Sequence, residues 1–195
     1  MRTFVVCNNT SLDAYYAGPG GDVMALPMEM AFDEYYVERM RAADTILLGA
    51  TSYQGFMGFW PAQVDNPDAT DMQKEVGRIY REIDKVVVSD RLTPDQVAPW
   101  GDTTTIVPRS EAESHVAVLK KQTGRDILTF GSRTTWTPLL RAGLIDEIHL
   151  LVGAGVLAAG TPLFDAPVPG LSLLDHRRIG ANAVLLRYEI AVDER

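Results

Sequence analysis

Short apolar runs alternate along this chain with stretches whose apolar residues recur every three to four positions. The first run, Thr3 to Asn8, reads as a strand. Glu29 to Arg41 reads as a helix, with Phe32, Tyr36 and Met40 at four-residue spacing on one face. Thr45 to Gly49 is a compact apolar strand that ends in glycine. Asp71 to Ile83 is amphipathic, and Lys85 to Ser89 is the next strand. The series continues with a strand at Thr103 to Val107, a helix at Glu111 to Gln122 and a strand at Asp126 to Phe130. A short helix is expected near Thr137 to Ala142, because proline fits comfortably only in a first helical turn and Pro138 stands there. A strand at Glu147 to Val152 follows. Continuous apolar strands separated by helices predict an α/β fold with a mostly parallel sheet. The tail differs. Leu171 to Arg178 and Ala183 to Val192 meet at Gly180-Ala181-Asn182 with no helix between them, the pattern of an antiparallel hairpin. The Pro/Gly-rich pieces at Gly18 to Gly21, Pro61 to Pro67 and Pro162 to Gly170 read as loops of a single domain over residues 1–195.

Composition narrows the class. The 195 residues are 46% hydrophobic and 23% charged, which suits a globular chain with a sizeable core. A net charge of −8 repels phosphate backbones, so neither nucleic acid nor an anionic membrane is an expected partner. The lone Cys7 lies in an apolar run and reads as a buried core thiol. The N-terminal apolar stretch is too short for a signal peptide, which makes the cytoplasm the expected location.

Ligands of open α/β sheets gather at the carboxyl ends of strands. Three strand ends carry suitable residues. Gly49-Ala50-Thr51 offers a close turn and a hydroxyl. Ser89-Asp90-Arg91 sets a hydroxyl two residues from a fixed cation. Gly131-Ser132-Arg133-Thr134 follows an apolar strand, where backbone N–H groups and a helix dipole can face a pyrophosphate. Each also has a plain structural reading as a strand stop or a cap. Gly153-Ala154-Gly155 imitates part of a dinucleotide fingerprint but lacks a helix pattern after it, so it reads as a turn. His115, His149 and His176 do not cluster at metal-ligand spacing, no metal site is expected, and His149 reads as structural. Tyr53, Phe56, Phe59 and Trp60 read equally as a wall for a flat ring or as a segment packed on the core.

An ordered series of segments then carries a resemblance. Ser11 to Gly18, Ala43 to Gly49 with Thr51 and Tyr53, Phe59-Trp60-Pro61, Lys85 to Ser89, Asp126 to Ser132, Leu139 to Glu147 and Gly160 to Phe164 cover nearly the whole chain. In that order the chain resembles the dihydrofolate reductase-like superfamily. The branch is the C-terminal reductase domain of the bifunctional riboflavin-biosynthesis deaminase/reductase. The resemblance implies a three-layer fold with a mixed, mostly parallel central sheet, and an NADPH-dependent reductase of a small flat heterocycle of the pterin or aminopyrimidine type. It implies that Gly49 and Thr51 lie by the cofactor's phosphates, and that Ser89 and Arg91 meet the adenosine ribose and its 2′-phosphate. Gly131, Ser132, Arg133 and Thr134 would hold the pyrophosphate, and Val6, Cys7, Ala17 and Gly18 would line the nicotinamide region through backbone atoms. Asp33, on the helix where dihydrofolate reductases carry a substrate-binding carboxylate, is the candidate catalytic residue. Asp13, in the loop before it, reads as a substrate group or as a loop brace. A homodimer is implied as well.

Three departures bear on that reading. Ala50 stands where the family commonly has a basic residue, so the preference for NADPH rests on Arg91 and Arg133. Pro138 pushes the expected helix start away from Gly131. Ala14-Tyr15-Tyr16 replaces the glycine and basic residue that suit a ribose phosphate, which favours an unphosphorylated ring. The rival readings are a cofactor-binding paralogue without turnover and a flavodoxin-like module; the C-terminal hairpin argues against the second.

Overall fold

The computed structural model describes residues 1–191, so Val192, expected at the end of the last strand, lies outside the described residues. In chain order the elements are β1 (Phe4–Thr10), β2 (Tyr15–Ala17), α1 (Met30–Ala42), β3 (Ala43–Gly49), α2 (Ala50–Phe59), α3 (Asp71–Glu82) and β4 (Asp84–Val88). They continue with α4 (Pro94–Val97), β5 (Thr104–Val107), α5 (Ala112–Lys121), β6 (Asp126–Phe130), α6 (Arg133–Arg141), β7 (Glu147–Val152), β8 (Thr161–Pro162), β9 (Leu171–Ile179) and β10 (Ala183–Ile190). The alternation of strands and helices is the α/β class expected, mostly parallel with an antiparallel C-terminal hairpin. The described chain divides into two compact units: Met1–Phe4 with Val37–Leu144, and Val5–Tyr36 with the residues from Ile145 on.

In the first unit β3 pairs in parallel with β4 and with β6, and β4 with β5. Ile46, Leu47, Leu48, Val87, Ile127 and Leu128 are at most 1% exposed. Strands covered on both faces need such unbroken apolar runs, which is why these segments do not alternate. The helices begin where sequence supplies caps: Thr70 and Gln73 bond reciprocally at the start of α3. Buried Lys85 turns its ammonium onto the carbonyls of Tyr80 (2.8 Å) and Ile83 (2.7 Å), past the last turn of α3. Tyr53 is buried, Phe56 packs at 5.8 Å on the ring of Tyr80, and Trp60 meets Phe59 edge to face. The segment after Gly49 is thus a helix packed into the core. Of the aromatic residues that could form a ring-binding wall, Tyr53 is a core group, Phe56 and Trp60 are half-buried, and Phe59 is open, at 48% exposure.

The second unit pairs β1 in parallel with β7, β7 antiparallel with β10, and β10 antiparallel with β9 across a bulge between Arg187 and Tyr188. Its hairpin tip is tied to the start of α1, where the carboxylate of Glu29 accepts N–H bonds from Ala181 and Asn182, each at 2.8 Å. The segment Gly153-Ala154-Gly155 is irregular, as its missing helix pattern required.

One expected element starts elsewhere. Helix α6 opens at Arg133 and keeps Pro138 in its interior. The lost N–H bond and the ring's crowding of the preceding turn carry a cost of about 3 kcal/mol. Burial of Trp136 and Leu139, each 1% exposed, offsets it at about 1.5–3 kcal/mol per large side chain. Packing overrides the local preference, and the helix start falls directly after Gly131 and Ser132.

Candidate functional site

Parallel pairing aligns the ends of β3, β4 and β6, so Gly49, Ser89 and Gly131 leave the first unit's strands on the same edge. Two helices begin there, α2 immediately after Gly49 and α6 three residues after Phe130. The turns are joined: Gly49 N–H donates to Ser132 Oγ at 3.1 Å. Ser132 therefore spends its acceptor on the neighbouring turn and does not cap its own helix. Gly49 has no side chain with which to cap α2. Both helix N-termini are consequently left without a side-chain cap, the condition in which backbone N–H groups and the dipole suit an anion.

The backbone here has the shape of a cradle. Gly131 has φ +56° and Ser132 φ +51°, two consecutive left-handed residues that turn successive N–H groups toward one side. A Cβ on Gly49 would meet Thr135 Oγ1 at 2.6 Å, so any larger residue would close the space. The hydroxyls of Thr135 and Thr129 are buried and have no hydrogen-bond partner among the described residues. Each helix also presents an exposed threonine at its second position, Thr51 on α2 and Thr134 on α6, while Arg133 is half-buried at the first turn of α6. Ala50 brings no cation. These features fit a dinucleotide phosphate held mainly by backbone and hydroxyl groups.

Ser89 and Arg91 divide their work. The Ser89 hydroxyl accepts from Arg91 N–H at 3.1 Å and Leu92 N–H at 3.0 Å, bracing the loop after β4. Arg91 is exposed, and the adjacent Asp90 is engaged by Arg109, 3.6 Å from its carboxylate. Ser89 shapes the loop, and Arg91 offers the charge.

In the second unit Val6 and Cys7 are fully buried in β1, so only their backbone can face a ligand. Ala17 and Gly18 are buried at the end of β2, and Gly18 N–H is used by Asp22 O at 2.8 Å. Asp13 is a loop brace: its carboxylate accepts from Ser11 Oγ at 2.6 Å, Leu157 N–H at 3.1 Å and Ala158 N–H at 2.8 Å. Those bonds, the Ser11 hydroxyl foremost, hold its pKa below the ordinary value. Asp33 is exposed on the first turn of α1, and partial desolvation raises its carboxyl pKa. One turn on, Tyr36 donates to Asn9 Oδ1 at 2.5 Å; burial first, and then the negative charges of Cys7, Asp33 and Tyr16, raise its phenol pKa. Beneath the same helix Tyr35 Oη lies 2.8 Å from His149 Nδ1, and His149 Nε2 donates to Glu147 Oε2 at 2.7 Å. His149 is fully buried, and this chain fixes it as a structural group.

Sequence reasoning missed Thr135, Tyr36 and Asn9. Nothing local marks Thr135, whose meaning comes from Gly49, eighty-six positions away. The Glu147–His149 pair was open to view, since two polar residues at i and i+2 in an apolar strand share a face.

The RibD C-terminal domain family matches residues 2–185, nearly the whole chain. The chain belongs to that family. The uncharacterized protein YyaP of Bacillus subtilis strain 168 is 28% identical over 166 residues, 84% of this chain and 81% of that protein. The fold is similar to a putative riboflavin biosynthesis protein of Shewanella sp. PV-4 (TM-score 0.65, 19% identity, 97% of this chain and 99% of that one). It is also similar to RibD of Acinetobacter baumannii (TM-score 0.68, 16% identity, 98% of this chain), where it spans 58% of the longer protein. A dihydrofolate reductase of Enterococcus faecalis complexed with NADP(H) matches at TM-score 0.59 and 11% identity over 96% of this chain and 95% of that one. The RibD C-terminal domain thus has a dihydrofolate reductase-like fold here, and family and fold together support a reductase-type function. Among the described residues no helix is long and apolar enough to cross a membrane.

Proposed function

We propose that this RibD C-terminal domain is an NADPH-dependent reductase of a small, flat, weakly charged heterocycle. The observation that carries the reading is the pair of uncapped helix starts joined by the Gly49–Ser132 bond, with left-handed Gly131 between strand and helix. When bound, the reduced nicotinamide supplies a hydride. The first unit's part is to hold phosphates: backbone N–H groups of the Gly131–Thr134 turn face the pyrophosphate, and Thr51 and Thr134 add hydroxyls. Arg91 pairs with the 2′-phosphate, a charge-assisted contact worth about 1.5–3 kcal/mol.

In the second unit Asp33 is the proposed substrate carboxyl. Its raised pKa lets it keep a proton to higher pH than a free aspartate, as a proton donor needs. As a carboxylate it accepts ring N–H groups. Tyr15 and Tyr16, half-buried in the same unit, bring no cation for a sugar phosphate, whose desolvation would go uncompensated.

Fluorescence titration of NADPH and NADH against wild type and Arg91→Ala tests the cofactor. NADPH is expected to bind roughly ten- to a hundredfold tighter than NADH in wild type, and equally in the variant. Equal affinities in wild type would end the reading. Cofactor oxidation with a dihydropterin is expected to exceed that with the ribosylaminopyrimidine phosphate of riboflavin synthesis, and Asp33→Asn should lose most of it. Efficient turnover of the phosphorylated substrate, or full activity of the variant, would overturn the corresponding assignment.

A further inference from the structure

In the second unit Asn9 holds its side-chain amide in one fixed orientation. The residue is half-buried near the carboxyl end of β1, the edge at which ligands of open α/β sheets gather. Tyr36 Oη donates to its Oδ1 at 2.5 Å, and its Nδ2 meets Met28 Sδ at 3.1 Å. An amide can turn over to suit its partners, but a phenol that donates can be met only by the oxygen. The Tyr36 phenol keeps its proton, because burial first, and then the nearby charges of Cys7, Asp33 and Tyr16, raise its pKa. The N–H groups of Asn9 are therefore turned away from Tyr36. Among the described residues the acceptor set against them is a thioether, a weak acceptor on a residue that is 51% exposed. A good donor is thus held against a partner that a better acceptor can displace.

Asp33 supplies the opposite character. It lies one turn before Tyr36 on α1, at the spacing that makes side chains neighbours, and its charge acts on the Tyr36 phenol. A carboxylate acceptor and an amide donor thus flank one phenol. We propose that Asn9 is a specificity-determining residue that selects a ring with a carbonyl beside a ring N–H, and rejects the same ring with an amino group in the carbonyl's place. The carbonyl takes the Asn9 N–H from Met28, and Asp33 accepts the neighbouring ring N–H. The thioether yields easily, since its unbranched side chain has several rotamers to move into. An amino group at that position would set donor against donor, and the fixed amide has no oxygen to offer it. Tyr36 is the positioning residue: without its hydroxyl the amide turns over and serves either ring. The inference rests on the proposed reduction of a flat heterocycle and adds which edge of that ring the site reads.

The test measures binding of two fluorescent probes, pterin and 2,4-diaminopteridine, to the full chain at neutral pH without cofactor. Wild type is expected to bind pterin at least about tenfold tighter, the effect of leaving a desolvated donor unpaired. Asn9→Leu keeps the size and removes both polar groups, so the two affinities should come within about threefold of each other. Tyr36→Phe should bring them together as well, by tightening diaminopteridine rather than loosening pterin, a change that mere loss of packing does not produce. Met28→Leu should bind pterin as tightly as wild type. As a readout on wild type alone, the Asn9 side-chain amide resonance should move on adding pterin and far less on adding diaminopteridine. Equal affinities in wild type, or a preference that survives Asn9→Leu, overturn Asn9 as the selector and leave the heterocycle reading in place. A preference that survives Tyr36→Phe overturns the positioning role, and a loss of about tenfold in Met28→Leu overturns displacement of the sulfur. If neither pteridine binds, the heterocycle reading falls and this inference with it.

Discussion

Gly49 N–H and Ser132 Oγ, 3.1 Å apart, join two strand ends that are eighty-three positions apart in the chain. The bond fixes the spacing of two helix N-termini and takes away the side chain that would otherwise cap one of them. Ser132→Ala should cost about 0.5–1.5 kcal/mol, the worth of one such bond. It should also loosen NADPH binding, because the two turns lose their common brace. Urea denaturation and cofactor titration measure the two effects separately.

Gly131 has φ +56°, where a β-branched residue is strained whatever the space around it. Gly131→Ala should cost about 1–2 kcal/mol, and Gly131→Val more. The alanine variant is therefore the better probe of the cradle. It should fold, with a lower denaturation midpoint, and bind NADPH at least tenfold more weakly on the proposed reading. Normal binding by the folded variant would remove the turn from the site.

Ala14 sits at φ +62° in an exposed loop position where the resembling family carries glycine. The left-handed backbone costs an alanine about 1–2 kcal/mol, and glycine's greater freedom in the unfolded chain returns part of that. Ala14→Gly should raise stability by about 0.5 kcal/mol, seen as a small increase in the urea midpoint. A decrease would show that the loop gains nothing from relief of φ.

Glu147 links pH to stability. The His149 hydrogen bond foremost, then Arg187, draw its carboxyl from 4.5 to about 2 against the opposing effect of burial. A carboxyl with a depressed folded-state pKa stabilises the fold above its unfolded value, and the stabilisation is lost as pH falls from about 4.5 to about 2. Its share is about 2–3 kcal/mol at neutral pH, reduced by solvent at the 21% exposed side chain. Glu147→Gln should flatten the acid limb of stability against pH over that window. An unchanged acid limb would place the proton uptake on other carboxylates.

The sequence by itself determined the order and type of nearly every element, because apolar runs and helical periodicity report burial directly. It also marked Gly49 and Gly131, since a glycine that ends an apolar strand signals a backbone need no side chain could serve. It placed Asp33 on a helix and read Asp13 as a possible brace. Tertiary structure decided what local rules could not. Pro138 argued for a late start to α6, yet packing of Trp136 and Leu139 carries the helix back to Arg133. Tyr53 and Phe56 read equally as site or core until folding buried Tyr53 and set Phe56 on the ring of Tyr80, from another helix. Ser132 read as a phosphate ligand, and its acceptor turns out to serve Gly49. Thr135 had no signal at all. The common cause is distance along the chain: each outcome depends on a partner that pairing of parallel strands brings in from dozens of residues away, and no local pattern encodes which partner that will be.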